Sequence, residues 1–455
     1  MLTHEENELL CRVEGDAPMG RIMRAHWIPA CLSEEIAEAD GNPVPVRLLG
    51  EDLVAWRDSD GAVGLMDRYC PHRRASLVFG RNEDCGLRCL YHGWKVDVKG
   101  NVVEMPSEPA EACNNQVKHK AYATHEHGGF VWAWMGAEAD MVPFEPPPWA
   151  PNADSSVSVV KIIIDCNWAQ VLEGAIDSAH SSSLHSSDIV PSKVAGTKPQ
   201  GGGFVRPSTD KAPRIQVQHT DYGLKYAAIR RPIQNAQTQD YVRMTLFVAP
   251  FTAMIPPNSS YGLANVNIPI DDTHTIFYFM AWNEGPHGGT STEEWRKLFG
   301  AQVGIDLDAR FNKLRNLSNN YLQDRQAMKN GNFTGIRGIP FQDIAMWETM
   351  GPIADRTNDR LGASDIAIVE FRRLMVDAVR KVAAGGEIIG AAPAVRKKQA
   401  SLRSFEGMLS KQADWRHLDM VQAQVAHREG TAPAADSAAA HPAPTAAPAS
   451  VPEHA

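Results

Sequence analysis

The sequence has no excess of basic residues. Its 45 lysines and arginines are outnumbered by 54 aspartates and glutamates, for a formal charge of −9 and a pI near 6.0. A general nucleic-acid binder shows a basic stripe, so that class is set aside. Long hydrophobic runs are also missing. The most apolar stretches, around Ile162–Ile164 and Gly129–Met135, are far too short to span a bilayer. The amino terminus, MLTHEENELL, lacks the basic and then apolar regions of a secretory signal, so a cytoplasmic protein is expected. Cysteine is scarce and odd in number, seven in all, which argues against a disulfide framework. No G-x-G-x-x-G unit falls between a strand and a helix, so no nicotinamide site is expected in this chain. There is no internal repeat.

What is present suits a globular protein of two parts. The 455 residues are 43% hydrophobic and 22% charged, an ordinary balance with length enough for one small and one larger domain. Residues 1–40 read as a helical segment that packs on the larger domain. From about Pro43 short alternating runs broken by turn signals, such as Asp58-Ser59-Asp60-Gly61, read as a small all-β module over 41–140. Residues 141–152 hold five prolines and read as a connection.

The larger domain is expected over 153–429. Val157–Ile164, Ile215–Ile229, Tyr241–Val248, Tyr261–Ile268 and Thr275–Trp282 read as strands, the last four of them successive members of one antiparallel sheet. Helices are expected at Trp168 to about His185, Ser291–Gly300, Asp306–Met328, Ser364–Ala384 and over 395–427, the second of these starting at a Ser291 or Thr292 cap followed by Glu293-Glu294. The Ala/Pro-rich stretch 430–455 lacks the large apolar residues that offset ordering entropy, and is expected to be disordered. The fold class expected is therefore α+β, an all-β module plus a larger domain whose antiparallel sheet is flanked by helices.

Two clusters carry the chemistry. Cys70-Pro-His72 and Cys89-Leu-Tyr-His92 each offer one thiolate and one imidazole, and 16 residues separate His72 from Cys89. Two Cys on one iron and two His on the other is the ligand set of a Rieske [2Fe–2S] centre. Neutral imidazoles in place of two thiolates raise the cluster's potential. A structural zinc site competes, but zinc modules group like with like, Cys with Cys and His with His. Cys11, Cys31, Cys85, Cys113 and Cys166 fit no ligand spacing and read as packing or bystander thiols.

The second cluster is Asp177-Ser-Ala-His180-Ser-Ser-Ser-Leu-His185. Five residues apart, the two histidines would point away from each other on a regular α-helix. If both hold one metal, the helix ends or distorts between them, as the serine run permits. Two His and one carboxylate leave open positions on iron. The distant carboxylate is sought among Asp324, Asp343, Glu348 and Asp355.

Cys70-Pro-His72-Arg73, Cys89-Leu-Tyr-His92-Gly93-Trp94 and the run Asn167–His185 resemble the Rieske non-haem iron ring-hydroxylating oxygenases, over roughly residues 1–385. The segment Pro340–Ile353 is similar to the phthalate dioxygenase branch. The resemblance implies a helix-grip, START-like catalytic domain, Asp343 as third iron ligand and Asp177 as a catalytic bridge from His180 to a Rieske histidine, His92 or else His72, of a neighbouring subunit. Glu348 is the rival ligand, and a helix cap is the alternative role for Asp343. It also implies O2 as co-substrate, a separate NADH-dependent flavin and iron–sulfur reductase, a trimer or stacked hexamer, and cis-dihydroxylation of an aromatic carboxylate. Phthalate comes first, with isophthalate or chlorobenzoate open. Arg206 and Arg243 are candidate anchors for the carboxylate, with surface or ion-pair roles as the alternative. The competing functions are a Rieske monooxygenase acting on a methoxy or methyl group, and a non-enzymatic electron carrier.

Overall fold

The structure is a computed structural model that describes residues 1–109, 117–193, 196–197, 204–257, 261–285 and 289–420. Cys113 and the stretch 430–455 lie outside the described residues. The chain starts with α1 (His4–Cys11) and α2 (Pro18–Arg24). A capping box opens α1: Glu6 N–H donates to Thr3 Oγ1 at 3.1 Å, and Thr3 N–H to Glu6 Oε2 at 3.0 Å. Pro18 opens α2, where its missing N–H costs nothing. Their apolar faces, with Leu10, Met19, Ile22 and Met23, are fully buried.

The expected helix over 1–40 stops there. Trp27–Leu32 forms strand β1, which pairs antiparallel with the last strand of the small module. The run Trp-Ile-Pro-Ala-Cys-Leu is rich in residues that suit a pleated surface, and Pro29, which cannot donate, sits beside a register shift between Pro29 and Cys31. The small β module then continues as β2 (Val44–Leu48), β3 (Glu51–Arg57) and β4 (Val63–Asp67) in one meander. A second sheet follows, of β5 (Arg81–Glu83), β6 (Gly86–Arg88), β7 (Lys95–Val96) and β8 (Val102–Glu104). Finally β9 (Ala123–His127) and β10 (Phe130–Trp134) join β1. Trp56, Met66, Leu77, Leu87 and Val96 form the module's own core, and Cys70 and Cys89 are buried against it.

The proline-rich connection is tied down rather than free. Trp149 is buried and stacks on Trp132 with ring centroids 5.6 Å apart. Beyond it, β11 (Ser156–Ile164) leads into α3 (Trp168–Ile176). A small sheet of β12 (Ile189–Pro191), β13 (Gly196–Thr197) and β14 (Phe204–Arg206) follows. The main sheet is completed by β15 (Arg214–Thr220), β16 (Gly223–Arg230), β17 (Gln239–Val248), β18 (Thr252–Ile255), β19 (Gly262–Pro269), β20 (Thr275–Asn283) and, late in the chain, β21 (Phe405–Ser410). Its order is β11-β20-β19-β18-β17-β16-β15, with β21 on β17 beyond the end of β18.

Helices α4 (Thr292–Phe299), α5 (Arg325–Lys329), α6 (Ile339–Thr349), α7 (Ile366–Ala383) and α8 (Pro393–Arg396) complete the domain. α3 and α7 lie on one face of the sheet, where Phe371 meets Phe247 edge-on at 5.1 Å. On the opposite face Ala227, Ile229, Val242 and Met244 are sealed by Phe405, Leu409 and Trp415. Tyr278 of β20 meets Phe130 of β10, in the small module, with ring centroids 5.1 Å apart.

Two expected helices are absent. Residues 306–328 form turns, a 3-10 segment at Leu317–Leu322 and the short α5. Asp308 accepts from the N–H groups of Arg310 and Asn312, and Asn320, Tyr321 and Leu322 take left-handed φ values of 52°, 54° and 51°, which no α-helix passes through. In the described part of 395–427, β21 replaces the helix because its backbone completes the free edge of β17. Among the described residues no helix is long and apolar enough to cross a membrane.

Candidate functional site

The Rieske ligand candidates sit on two matching loops. After β4, Arg74 N–H donates to Cys70 C=O at 2.9 Å; after β6, Gly93 N–H donates to Cys89 C=O at 3.0 Å. The fifth residue of each turn is left-handed, Arg74 at φ 61° and Gly93 at φ 77°. The backbone N–H groups of His72 and Arg73 face the Cys70 sulfur and favour its thiolate, against burial, which pushes the thiol up to about 11. The rings of His72 and His92 lie 4.5 Å apart between centroids, and His72 stacks on Trp94 at 4.6 Å and 6°. His72 Nδ1 is buried with no hydrogen-bond partner. The four donors do not converge as ligands of one ion: among the described residues the one such group found is elsewhere. Two sulfurs at one end and two ring nitrogens at the other fit a two-iron cluster and not a tetrahedral zinc.

That convergent group is His180, His185 and Asp343, whose donor atoms all lie within 4.8 Å of one another. Asp343 Oδ1 is 3.1 Å from His185 Nε2 and 3.5 Å from His180 Nε2, and the two nitrogens are 3.2 Å apart. The local chain explains the meeting. α3 ends at Ile176, nine residues before His185, rather than running on to it as the sequence suggested. Asp177 accepts from Ala179 N–H at 2.7 Å and His180 N–H at 3.4 Å, the phenol of Tyr226 donates to Ile176 C=O, and a 3-10 turn carries His180–Ser182. These bonds take the place of α-helical ones.

Each histidine has an outer partner. Asp177 Oδ2 lies 3.5 Å from His180 Nδ1. Burial acts to raise the Asp177 carboxyl, but the bonds from His180 and the backbone hold it below the usual carboxylate range. His185 Nδ1 donates to Gln342 Oε1 at 2.7 Å, and Gln342 Nε2 donates to Asp188 Oδ2 at 2.8 Å and Ile336 C=O at 3.0 Å. With its amide so oriented, Gln342 accepts from Nδ1–H and leaves the Nε2 lone pair directed at the triad.

A cavity opens beside the triad. Phe277, Phe279, Leu263 and Ile255 line it with apolar surface, and Arg206, Arg243 and Asn265 with polar groups. Arg206 donates to Ser181 Oγ at 2.9 Å and Ser182 Oγ at 3.3 Å. Arg243 pairs with buried Glu406 at 3.3 Å and donates to Pro256 C=O at 3.2 Å. Both arginines are buried, so neither is a surface arginine.

Comparison with known proteins agrees with this geometry. Residues 26–122 match the Rieske [2Fe–2S] domain family, and residues 133–438 match the family described as LigXa C-terminal domain like. The chain is 63% identical over 417 residues to the phthalate 4,5-dioxygenase oxygenase subunit of Pseudomonas putida, covering 91% of this chain and 94% of that one. The chain belongs to the Rieske oxygenases. It is also 37% identical to the 3-chlorobenzoate-3,4-dioxygenase oxygenase subunit of Comamonas testosteroni, over 85% of this chain and 91% of that one. Among solved structures, NdmB of Pseudomonas putida CBB5 shares the fold at 18% identity with a TM-score of 0.55, over 85% of this chain and 97% of that one. As an oxygenase subunit of this family, the chain takes a Rieske cluster and a mononuclear iron, and uses O2.

Of the four carboxylates, the one that lies beside the two histidines is Asp343. Asp343 lies inside α6, whose cap is Gly338, so it does not cap that helix. Glu348 is held by Lys313 at 2.6 Å and by the phenol of Tyr321. Asp324 caps α5 through Ala327 N–H at 2.9 Å, and Asp355 closes a turn with Thr357 and Asn358. Arg206 ends strand β14. Gln342, Asp188 and Tyr226 went unnoticed in the sequence. The one signal for Gln342 was its place immediately before Asp343. The described cysteines outside the Rieske loops, Cys11, Cys31 and Cys166, are buried in packing positions, while Cys85 is half-buried in a turn.

Proposed function

We propose that this Rieske oxygenase is the terminal component of a phthalate 4,5-dioxygenase system. It adds both atoms of O2 to the ring of phthalate and yields a cis-dihydrodiol. Phthalate, O2, NADH and a proton become the dihydrodiol and NAD+. The observation that carries this reading is the pair of buried arginines, Arg206 and Arg243, facing the cavity that the triad also faces. A fixed guanidinium suits a planar carboxylate, and burial strengthens the contact. The high identity to the Pseudomonas putida subunit points the same way.

In this reading Cys70, Cys89, His72 and His92 hold the cluster, and His180, His185 and Asp343 hold the iron. When bound, the cluster supplies single electrons and the iron supplies redox chemistry toward O2. The protein supplies the rest. Arg206 and Arg243 hold the substrate's carboxylates. Phe277, Phe279 and Leu263 exclude water and present a flat apolar surface to the ring. Gln342 and Asp177 fix the two histidine rings. Asp177 also links His180 to the exposed edge of the Rieske module, by way of His92 of a second copy, in a trimer or stacked hexamer. A separate NADH-dependent flavin and iron–sulfur reductase delivers the electrons, and the system works in the cytoplasm.

The test is turnover of phthalate under 18O2 with NADH and a suitable reductase. Two labelled oxygens in a dihydrodiol support the reading. No dihydrodiol from phthalate, and instead an unlabelled phenol from a methoxybenzoate with the label leaving in formaldehyde and water, would place the chain with relatives such as the 5,5'-dehydrodivanillate O-demethylase oxygenase subunit, 30% identical over 85% of this chain.

A further inference from the structure

A third arginine lies behind the other two, and nothing in the reaction so far accounts for it. Arg230 ends β16 beside Tyr241 of β17, two pairs along from Ala228 and Arg243 and so on the same face of the sheet. It is 1% exposed. Its Nη2 donates to Ser178 C=O at 2.9 Å and Ser182 Oγ at 3.3 Å, so it grips the chain on both sides of His180. Its Nε and Nη1 are buried with no hydrogen-bond partner, and so is Nε of Arg206. Arg206 and Arg230 share the Ser182 hydroxyl, a neutral acceptor between two cations.

The charges in this half of the cavity do not balance. Glu406 is bonded to Arg243 and to the phenol of Tyr241. Among the described residues the count here is three positive charges, Arg206, Arg230 and Arg243, against this one buried carboxylate. Asp177 and Asp343 lie at the metal end, where a divalent iron held by the triad would offset them. Asp210 accepts from the backbone N–H of Arg231 and forms no ion pair with Arg230 among the described residues. Burial and the like charges of Arg206 and Arg243 pull the Arg230 guanidinium down to about 9, still protonated at neutral pH. Buried charge without a counter-ion is costly unless something supplies the missing charge.

We infer that Arg230 is a specificity-determining positioning residue: its buried, unpaired charge makes the cavity require a dianionic substrate, two carboxylates offsetting the excess of two positive charges. Arg206 and Arg243 make the contacts; Arg230 acts through them and through Ser182, and sets how many negative charges the site accepts. A monoanion of the same shape leaves one buried positive charge uncompensated. The inference rests on the dicarboxylate reading above and deepens it.

The test compares kcat/KM for phthalate with that for monomethyl phthalate, which has the same ring and one charge fewer. The proteins are the iron-replete parent, Arg230→Met, Arg230→Gln and Arg230→Lys. In Arg230→Met and Arg230→Gln the phthalate value should fall by about 10- to 100-fold, mostly through KM. The monoester value should fall less, so the preference for the dianion shrinks. Arg230→Lys should keep most of the preference, because it keeps the charge. Equal losses on both substrates would overturn the inference and leave Arg230 a loop clamp, as would an unchanged preference. If Arg230→Met does not fold, Arg230→Gln keeps a donor for Ser178 and makes the same comparison with Arg230→Lys. A parent that turns over neither substrate sinks the phthalate reading itself, a separate outcome.

Discussion

Replacing Gln342 by Met tests whether the geometry around His185 controls iron binding. Met has nearly the same length and shape, so the helix and its packing are conserved. Three hydrogen bonds disappear: from His185 Nδ1 at 2.7 Å, to Asp188 Oδ2 at 2.8 Å and to Ile336 C=O at 3.0 Å. Each buried polar group left unpaired costs about 1–3 kcal/mol. More to the point, His185 loses the acceptor that keeps its proton on Nδ1. The ring is then free to carry the proton on Nε2, the atom 3.1 Å from Asp343 that the metal needs. Outer-partner losses of this kind weaken metal sites by about 10- to 100-fold, or about 1.4–2.8 kcal/mol of binding free energy. Fe(II) titration of the apo mononuclear site, with the Rieske EPR signal as internal control, measures this directly. The expected result is weaker Fe(II) binding beside an unchanged Rieske signal. Unchanged Fe(II) affinity and full turnover would refute the argument that Gln342 sets the histidine's tautomer.

Two further perturbations bear on different links. Asp177→Asn keeps an oxygen for the backbone N–H groups of Ala179 and His180 but removes the charge beside His180. Reduction of the cluster by dithionite should be normal, while its reoxidation in a single turnover with substrate and O2 slows by about 10- to 100-fold; normal reoxidation would remove Asp177 from the electron path. Glu173 is paired with Arg356 and Arg372, each at 2.8 Å. Burial acts to raise its carboxyl, but the two guanidiniums outweigh this and hold it below the ordinary value of 4.5. A depressed folded value means stability that is fully present above about pH 4.5 and lost as pH falls through the folded value. Glu173→Gln should therefore cost about 3–5 kcal/mol at pH 7, with the gap to the parent narrowing below pH 4.5. Apparent unfolding midpoints in urea at pH 7 and pH 4 check this, and a gap that does not change with pH contradicts it.

The two metal clusters were legible because their residue types and spacings serve almost no other purpose. Strands β11, β17, β19 and β20 were legible for a related reason: their apolar runs are long and bounded by turns. What failed were segments whose structure is set by partners distant in sequence. Trp27–Leu32 becomes a strand because β10, about a hundred residues later, offers an edge. Phe405–Ser410 becomes one because β17 has a free edge beyond β18. Neither edge is visible in a local window. Residues 306–328 show helix-like apolar spacing, yet Asn316 and Asp308 capture nearby N–H groups and three consecutive left-handed residues break the path. Helix geometry led to the expectation that, if both histidines hold one metal, the helix is irregular or ends between His180 and His185. It ends earlier, at Ile176, because Tyr226 and Arg230 reach in from β16 to the carbonyls of Ile176 and Ser178.

Asp343 and Glu348 stand five residues apart on α6, and the sequence offered both as the third ligand. Their surroundings give them opposite jobs, and one experiment tells them apart. Glu348 side-chain oxygens meet Lys313 at 2.6 Å, Asp165 N–H at 2.8 Å and the phenol of Tyr321. It ties α6 to β11 and to the left-handed turn at Asn320–Leu322. Both Lys313 and Glu348 are 3% exposed in their side chains, so removing one leaves the other buried and short of its partner. Glu348→Ala should cost about 3–5 kcal/mol, while folded protein at low temperature still binds iron in the triad. Asp343 is held differently: among the described residues its carboxylate forms ion pairs only with His180 and His185. Asp343→Ala should leave the apoprotein's unfolding midpoint close to the parent's and abolish mononuclear iron binding, with the Rieske signal intact. The reverse pattern, iron lost with Glu348 and stability lost with Asp343, would exchange the two roles and move the metal about one and a half turns along the helix.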